Sequence, residues 1–240
     1  MKLIGVFLER RKEMELIPES KLLTPELKEQ VKAVFSKLER TVYLYSILDE
    51  SEKSEELGCF LLELSTLSDK VKFSFFKKGE SKELRKELEE EKVPATGLYD
   101  EDKVFTGIAF YGIPAGQEFN SLILAIYNVG GKGQEIEKRL VKKLEKIKNP
   151  VHFQIFVSLG CHHCPKMVVA CQRLSVLSPY IKADMIDASL YPEVIEQYNI
   201  ERVPMTIVNG EEVYMGVKPI EALVEIACDH GMVKKRRFGK

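Results

Sequence analysis

The sequence predicts an α/β protein in which one fold occurs twice. Short apolar segments of high β propensity alternate with amphipathic helical segments, which favours parallel strands connected by helices. Several short segments also recur 110 residues further along the chain. The matches are Leu64-Ser65 with Leu174-Ser175, Leu67-Ser68 with Leu177-Ser178, Val71-Lys72 with Ile181-Lys182, and Val93-Pro94-x-Thr96 with Val203-Pro204-x-Thr206. A constant offset over separate elements indicates a duplication and therefore two domains.

The first half begins with a helix whose start is marked in the sequence. Thr24 is a preferred helix-capping residue, and Pro25 suits the first helical position, where its missing N–H costs nothing. The elements predicted after it are a strand at residues 41–47, a helix at 51–68, a strand at 71–76, a charged helix at 82–91, a hairpin at 93–111 and an apolar helix at 115–129. Each half has the predicted order β-α-β-α-β-β-α, with antiparallel strands only in the hairpin.

A glycine-rich segment at residues 130–133 marks the end of the first half. It breaks the apolar helix, and a polar helix at residues 134–148 is predicted to follow. The predicted division is an N-terminal extension at 1–23, a first fold without redox activity at 24–132, a linking helix at 133–150, a second fold at 151–230 and a basic tail at 231–240.

The second half carries Cys161-His162-His163-Cys164 between an apolar strand and a helix predicted from Pro165 to residue 178. Two residues three apart on a first helical turn have Cα atoms about 5–6 Å apart, a separation that suits a disulfide. The unpaired N–H groups of the helix start stabilise a thiolate at Cys161, which makes it a nucleophile near neutral pH. His162 and His163 stabilise that thiolate further when protonated. A strand, a CxxC, a helix and a later Val-Pro form the thioredoxin-like pattern.

A zinc site and an inert cysteine pair are the competing interpretations of this motif. A structural zinc site needs four ligands, and histidines between two cysteines do not readily turn onto the same ion. The other candidate pair, Cys228 and His230, lacks zinc-finger spacing. We therefore favour redox chemistry and expect no metal.

Composition limits the classes of function. The net charge is −1, so no general attraction to nucleic acid is expected, and the basic residues 234–237 are interpreted as a solvated tail. No apolar run approaches the ~20 residues of a membrane span, and the N-terminus lacks a secretory pattern, so we predict a cytoplasmic protein with no membrane contact. Cys59 and Cys171 are predicted core residues, and Cys228 has no assigned role.

At these residues the chain resembles the N-terminal domain of the flavoprotein subunit of bacterial alkyl hydroperoxide reductase. That domain consists of two fused thioredoxin-like folds, and the similarity covers about residues 24–228. The shared segments are Cys161 to Pro165, Val203-Pro204, Val208-Asn209-Gly210, Leu48-Asp49-x-Ser51, residues 67–71 and Gly112-x-Pro114-x-Gly116-x-Glu118-Phe119. The chain is more distantly similar to the two-fold protein disulfide oxidoreductases of thermophiles, which usually carry a CxxC in both halves.

The resemblance implies roles for individual residues. Cys161 attacks a disulfide and Cys164 resolves the mixed disulfide. Pro204 follows a cis peptide bond and faces the CxxC, and the backbone of Val203 pairs with an extended substrate strand. The alternative for Pro204 is an ordinary proline at a strand start. Glu118 lies beside the dithiol and shuttles a proton from Cys164, or it is only an acid complementing a helix dipole.

The predicted function is that of an electron carrier from a separate flavin-dependent disulfide reductase to a peroxiredoxin or another protein disulfide. One alternative is a broad protein disulfide oxidase or isomerase, and another is a glutaredoxin-like scaffold that holds a metal or iron–sulfur centre at Cys161. No strand-GxGxxG-helix unit is present, so we expect no cofactor and no direct reduction by NADPH. The offset places Ser51 and Ser54 at the two cysteine positions, which predicts a redox-silent first half.

Overall fold

A computed structural model of the chain describes residues 20–232, and the elements follow the predicted order. The helices are α1 Pro25–Phe35, α2 Glu52–Ser65, α3 Leu84–Glu87, α4 Phe119–Gly130, α5 Lys138–Leu144, α6 Cys164–Leu177, α7 Pro192–Tyr198 and α8 Ile220–Gly231. The strands are β1 Val42–Leu48, β2 Val71–Lys77, β3 Ala95–Tyr99, β4 Phe105–Tyr111, β5 Val151–Val157, β6 Ile181–Asp187, β7 Met205–Val208 and β8 Glu212–Met215. Most of the predicted extension, and of the predicted basic tail, lies outside the described residues.

The eight strands form a single sheet in the order β2-β1-β3-β4-β6-β5-β7-β8. Each half has one parallel pair and two antiparallel pairs, and β4 joins the halves by pairing in parallel with β6 from Ile108↔Ala183 to Tyr111↔Ile186. Val42 pairs with Val71, whereas Val151 pairs with Ile181. The first strand of the second half is therefore one residue earlier than the repeat offset predicts. The segment between this strand and its helix is three residues longer than in the first half, residues 158–163 against residues 49–51.

Both Val-Pro pairs have the same geometry. The Val93–Pro94 and Val203–Pro204 peptide bonds are cis, which confirms the prediction for Pro204. The carbonyl of Pro94 accepts a 2.9 Å hydrogen bond from Gly112, and the carbonyl of Pro204 accepts one of the same length from Gly216. The hairpin that each proline opens thus closes in the same way in both halves.

The apolar core lies on both faces of the sheet. The larger cluster packs α1, α2, α4, α6 and α8 against one face, and a smaller cluster covers the other face under α3 and α7. Within the larger cluster α4 packs on α6, which brings the last helix of the first half against the helix that begins at Cys164. In the described part of the chain, no helix is long and apolar enough to cross a membrane.

Two helices have less than half of their predicted length. The linking helix spans only Lys138–Leu144, because the segment before it is held as a loop. Asn128 accepts a 2.7 Å hydrogen bond from the amide of Gln134 and donates one of 2.9 Å to its side chain. The charged helix spans only Leu84–Glu87, and the amide of Glu89 donates to the hydroxyl of Tyr111 instead of to a helical carbonyl. Both differences come from tertiary contacts that override local helix propensity.

Candidate active site

The two cysteines of the CxxC form a disulfide at the start of α6. Their Cα atoms are 5.5 Å apart, within the range that the helical spacing predicts. Cys164 is the first residue of α6 and is completely buried, whereas Cys161 precedes the helix and is half-buried. A chemical partner can therefore approach Cys161 from solvent, and Cys164 only through Cys161.

The sulfur of Cys161 occupies the position of a helix cap. The amide of Cys164 donates a 3.2 Å hydrogen bond to the Sγ of Cys161, and His163, which stands at the cap position, makes no side-chain capping bond. An N–H donor and the positive end of the helix dipole both favour a negative charge on this sulfur after reduction. His162 and His163 are exposed to solvent on the same turn.

The residue before the cis proline lies close to the disulfide. The carbonyl oxygen of Val203 lies 3.8 Å from the Sγ of Cys161. Pro204 itself is buried, and Val203 is partly exposed next to it. The residue before the cis proline thus presents its backbone at the half-buried sulfur.

Glu118 is a buried carboxylic acid in the turn before α4. Its side chain is 0% exposed, one oxygen accepts a 2.5 Å hydrogen bond from the hydroxyl of Ser121, and the other has no hydrogen-bond partner among residues 20–232. Burial raises the pKa of Glu118 to about 7, and the hydrogen bond from Ser121 opposes this shift. Glu118 is therefore a buried carboxyl group that takes both protonation states near neutral pH, unlike an exposed acid at a helix start.

The turn that carries Glu118 is attached to the loop before Cys161. The amide of Gln117 donates a 3.0 Å hydrogen bond to the carbonyl of Leu159. Gly116 has a φ of +57°, and a Cβ at this position would lie 2.7 Å from the same carbonyl oxygen. Only glycine therefore allows this close approach of the two loops.

Comparison with known proteins places this geometry in a family. A family model of the thioredoxin domain matches residues 151–227. The solved NTD_N/C domain of alkyl hydroperoxide reductase AhpF from Enterococcus faecalis shares 38% sequence identity and a TM-score of 0.81, covering 85% of this chain and 99% of that one. The chain belongs to the family of AhpF N-terminal domains. The predicted resemblance and the predicted fold class, two tandem thioredoxin-like folds, are both confirmed.

One further relative and one solved structure of the same fold extend the comparison. The alkyl hydroperoxide reductase AhpF of Staphylococcus aureus is 33% identical over 205 residues, which is 85% of this chain and 37% of that protein. The chain therefore spans little more than a third of the length of this relative. A protein disulfide oxidoreductase from Aeropyrum pernix has a TM-score of 0.77 over 88% of this chain and 96% of its own, with 18% identity, and shares the fold.

The first half of this AhpF-like chain keeps the frame of the dithiol site without its sulfurs. The amide of Ser54 donates a 3.2 Å hydrogen bond to the hydroxyl of Ser51, as the amide of Cys164 does to Cys161. Both serine hydroxyls donate to one carboxylate oxygen of Asp49 at 2.6 Å, and these bonds lower the pKa of Asp49. The role of Asp49 was not predicted from the sequence, although its position two residues before Ser51 is the signal of an Asx turn.

The remaining cysteines are free thiols. Cys171 and Cys228 are buried, and Cys59 is half-buried. Burial raises the pKa of all three, most strongly that of Cys171, so none is a reactive thiolate at neutral pH. Among the described residues, no group of three or more His, Cys, Asp or Glu side chains could hold a metal ion.

Proposed function

We propose that the chain is a thiol–disulfide oxidoreductase that passes electrons through Cys161 and Cys164. The donor is a separate flavin-dependent disulfide reductase, and the acceptor is the disulfide of a peroxiredoxin. The observation that carries the proposal is the disulfide at the start of α6, with its half-buried sulfur facing the carbonyl of Val203, in a chain of the AhpF family.

The transfer consists of two exchange steps. The thiolate of Cys161 attacks one sulfur of the acceptor disulfide, forms a mixed disulfide and releases the other acceptor sulfur as a thiolate. Cys164 then loses its proton and attacks the Sγ of Cys161, which releases the second acceptor thiolate. The acceptor gains two electrons, and the chain is left with the Cys161–Cys164 disulfide, which the reductase reduces again.

Burial assigns the two sulfurs to these steps. Cys161 is the attacking thiol because its sulfur is accessible and lies at the helix start. Cys164 is the resolving thiol because it is 0% exposed and reaches only Cys161. The free backbone edge at Val203 pairs with an extended acceptor segment, which positions the acceptor sulfur next to Cys161. His162 and His163 border the same approach from the solvent side.

Glu118 receives the proton of Cys164 in the second step. A carboxyl group whose pKa is about 7 exists in both protonation states at neutral pH, so it takes a proton and returns it without a large free-energy cost. Its partnerless oxygen lies in a turn that is hydrogen-bonded to the loop before Cys161. These features support a proton-transfer role for Glu118.

A reconstituted electron-transfer assay tests this function. The oxidised chain is mixed with a flavin-dependent disulfide reductase that lacks a dithiol domain, together with NADH or NADPH, a peroxiredoxin and peroxide. We expect peroxide-dependent nucleotide oxidation only when the chain is present, and its loss in Cys161→Ser but not in Cys171→Ser. Nucleotide oxidation that is independent of the chain, or reduction of the chain by the nucleotide without any reductase, would contradict the proposal.

A further inference from the structure

A cavity of about 340 Å³ lies beside the dithiol helix, between α4, the loop that follows it and α6. Leu124 and Val169 form apolar walls, and Arg173 and Lys166 are the basic residues in its lining. Lys166 follows Cys164 by two residues, so the cavity begins at the first turn of the dithiol helix. None of the proposed exchange steps uses this cavity.

Arg173 is a buried cation without a partner in the described part of the chain. Its residue is 9% exposed, its guanidinium makes no hydrogen bond or ion pair with the described residues, and its Nε is fully buried. Burial lowers the pKa of Arg173 and the hydroxyl of Tyr127 opposes this shift, and a guanidinium keeps its proton in proteins. A buried charge without a counter-charge is costly, so this position calls for an anion.

The guanidinium is held in place by the loop beside it. Gly133 has a φ of +71°, and a Cβ at this position would lie 2.6 Å from Nη1 and 2.9 Å from Cζ of Arg173. The loop is itself fixed by the two hydrogen bonds between Asn128 and Gln134. Arg173 is therefore packed against the backbone at Gly133 and lines the cavity, and the fork geometry of a guanidinium matches the two oxygens of a carboxylate or a phosphate.

We propose that this cavity binds a small organic anion whose carboxylate or phosphate group pairs with Arg173. The apolar body of the ligand packs against Leu124 and Val169. Lys166 lies seven residues before Arg173, roughly 10 Å away along the helix axis, and adds positive charge at the mouth. The volume is larger than a bare inorganic anion requires, which favours a ligand with a body. This inference does not depend on the redox function.

Glu135 offers the competing explanation. Its carboxylate is exposed, lies in the lining of the same cavity and forms no ion pair with Arg173. If the two side chains paired in solution, removing either charge would destabilise the protein, and no external anion would be needed. If the cavity takes an external anion, the carboxylate of Glu135 weakens binding by repulsion.

The test is a titration of the full chain with three probes that share an aromatic body: phenyl phosphate, phenylacetate and uncharged benzyl alcohol. Binding is followed by the amide NMR signals of the loop at Gly133 and by calorimetry. We expect saturable binding of at least one of the two anions but not of benzyl alcohol, and the tighter of the two identifies the preferred headgroup. Glu135→Gln should leave this binding unchanged or tighter.

Substitutions of Arg173 decide whether the binding takes place in this cavity. Arg173→Met should raise the dissociation constant about tenfold or more, because a charge-assisted bidentate contact is lost. Its melting temperature should be unchanged or higher, since an apolar side chain replaces an unpaired buried charge. Arg173→Lys keeps the charge but loses the fork of the guanidinium, so it should bind the anion more weakly than the natural protein does. This variant still tests the site if Arg173→Met folds poorly. Lys142→Met removes an exposed charge on α5 and should have no effect.

Three results would overturn the proposal. The first is an absence of saturable binding of either anion up to about 10 mM, the weak limit of a specific site. The second is binding that Arg173→Met and Arg173→Lys leave unchanged. The third is an equal drop in melting temperature in Arg173→Met and Glu135→Gln, which would identify an internal ion pair.

Discussion

The carbonyl oxygen of Val203 lies 3.8 Å from the Sγ of Cys161, so the backbone before the cis proline and the half-buried sulfur form one surface. In the function proposed above, an acceptor segment that pairs with Val203 brings its own sulfur next to Cys161. The other sulfur, on Cys164, lies behind this surface and is completely buried. Substitutions at this surface, and at its counterpart in the first half, test how the two sulfurs divide the chemistry.

The first prediction concerns the number of redox-active thiols. Oxidised protein, denatured and titrated for thiols, should show the free thiols of Cys59, Cys171 and Cys228, and full reduction should reveal all five cysteines. Cys161→Ser should abolish disulfide exchange, because no other described thiol is both accessible and placed at a helix start. Cys228→Ser is the control and should keep activity. Substantial exchange by Cys161→Ser would reveal a second redox centre.

The second prediction concerns stability and Glu118. The pKa of this carboxyl is about 7 in the folded protein and 4.5 in the unfolded chain, so the folded state holds the proton more tightly. Its contribution is fully present below about pH 4.5 and is lost as the pH rises to about 7, a loss on the order of 3 kcal/mol. Glu118→Gln cannot ionise and should not show this loss.

Denaturant unfolding at several pH values measures this effect. The difference in unfolding free energy between Glu118→Gln and the natural protein should grow in favour of the variant between pH 4.5 and pH 7. The exposed Glu145→Gln serves as the control and should show no such trend. A difference that is constant over this range would mean that Glu118 is ionised in the folded protein.

The third prediction concerns the proton of Cys164. Glu118→Gln should slow the resolution of the mixed disulfide by about 100-fold, the usual effect of losing one acid–base group, and should leave the first attack by Cys161 unchanged. Stopped-flow measurement with a chromogenic aromatic disulfide separates the two steps, because each releases its own thiolate. Equal slowing of both steps would indicate a structural effect on the dithiol instead of a proton-transfer role.

The fourth prediction restores a disulfide in the first half. Ser51 and Ser54 have the same amide-to-side-chain geometry as the cysteine pair, so Ser51→Cys with Ser54→Cys should form a disulfide under mild oxidation. Thiol counting in a Cys161→Ser, Cys164→Ser background should show two thiols fewer after oxidation. A matched pair at the other end of α2, Ser65→Cys with Ser68→Cys, lacks the helix-start geometry and should stay reduced. Free thiols at positions 51 and 54 after oxidation would show that the two halves do not share this frame.

Much of this site could be predicted from the chain because its determinants are local. The spacing of Cys161 and Cys164, the helix start and the Val203-Pro204 pair are all sequence features. The environment of Glu118 could not be predicted in this way. Residue type and position suggest an acid near a helix start, whereas the burial of this side chain depends on the packing of α4 against α6. The hydrogen bonds of Asp49 to both serines likewise depend on the loop conformation after β1.

The linking helix shows why a local pattern overestimates an element. Residues 134–148 have a polar, helix-favouring composition, yet the helix begins only at Lys138. The residues before it contact Asn128 at the end of α4 and Arg173 on α6, and both lie outside the segment. A pattern limited to the segment itself contains no information about these contacts.

The fifth prediction concerns the contact between the Glu118 turn and the dithiol loop. Gly116→Ala introduces a Cβ 2.7 Å from the carbonyl oxygen of Leu159 at a position with a φ of +57°. We expect a loss of about 1–3 kcal/mol in unfolding free energy from strain. We also expect slower attack by Cys161, because Leu159 precedes it by two residues and must move to relieve the contact.

Gly210→Ala is the matched control for this substitution. Gly210 also has a positive φ, +73°, but a Cβ there meets no atom within 4 Å, and the residue is exposed in the turn between β7 and β8. Gly210→Ala should therefore lower the unfolding free energy only by the backbone strain, and it should leave the exchange rate of Cys161 unchanged. Chemical denaturation and the first-step rate with an aromatic disulfide measure both quantities. If the two variants lost the same stability and neither changed the rate, the contact at Leu159 would have no role in positioning Cys161.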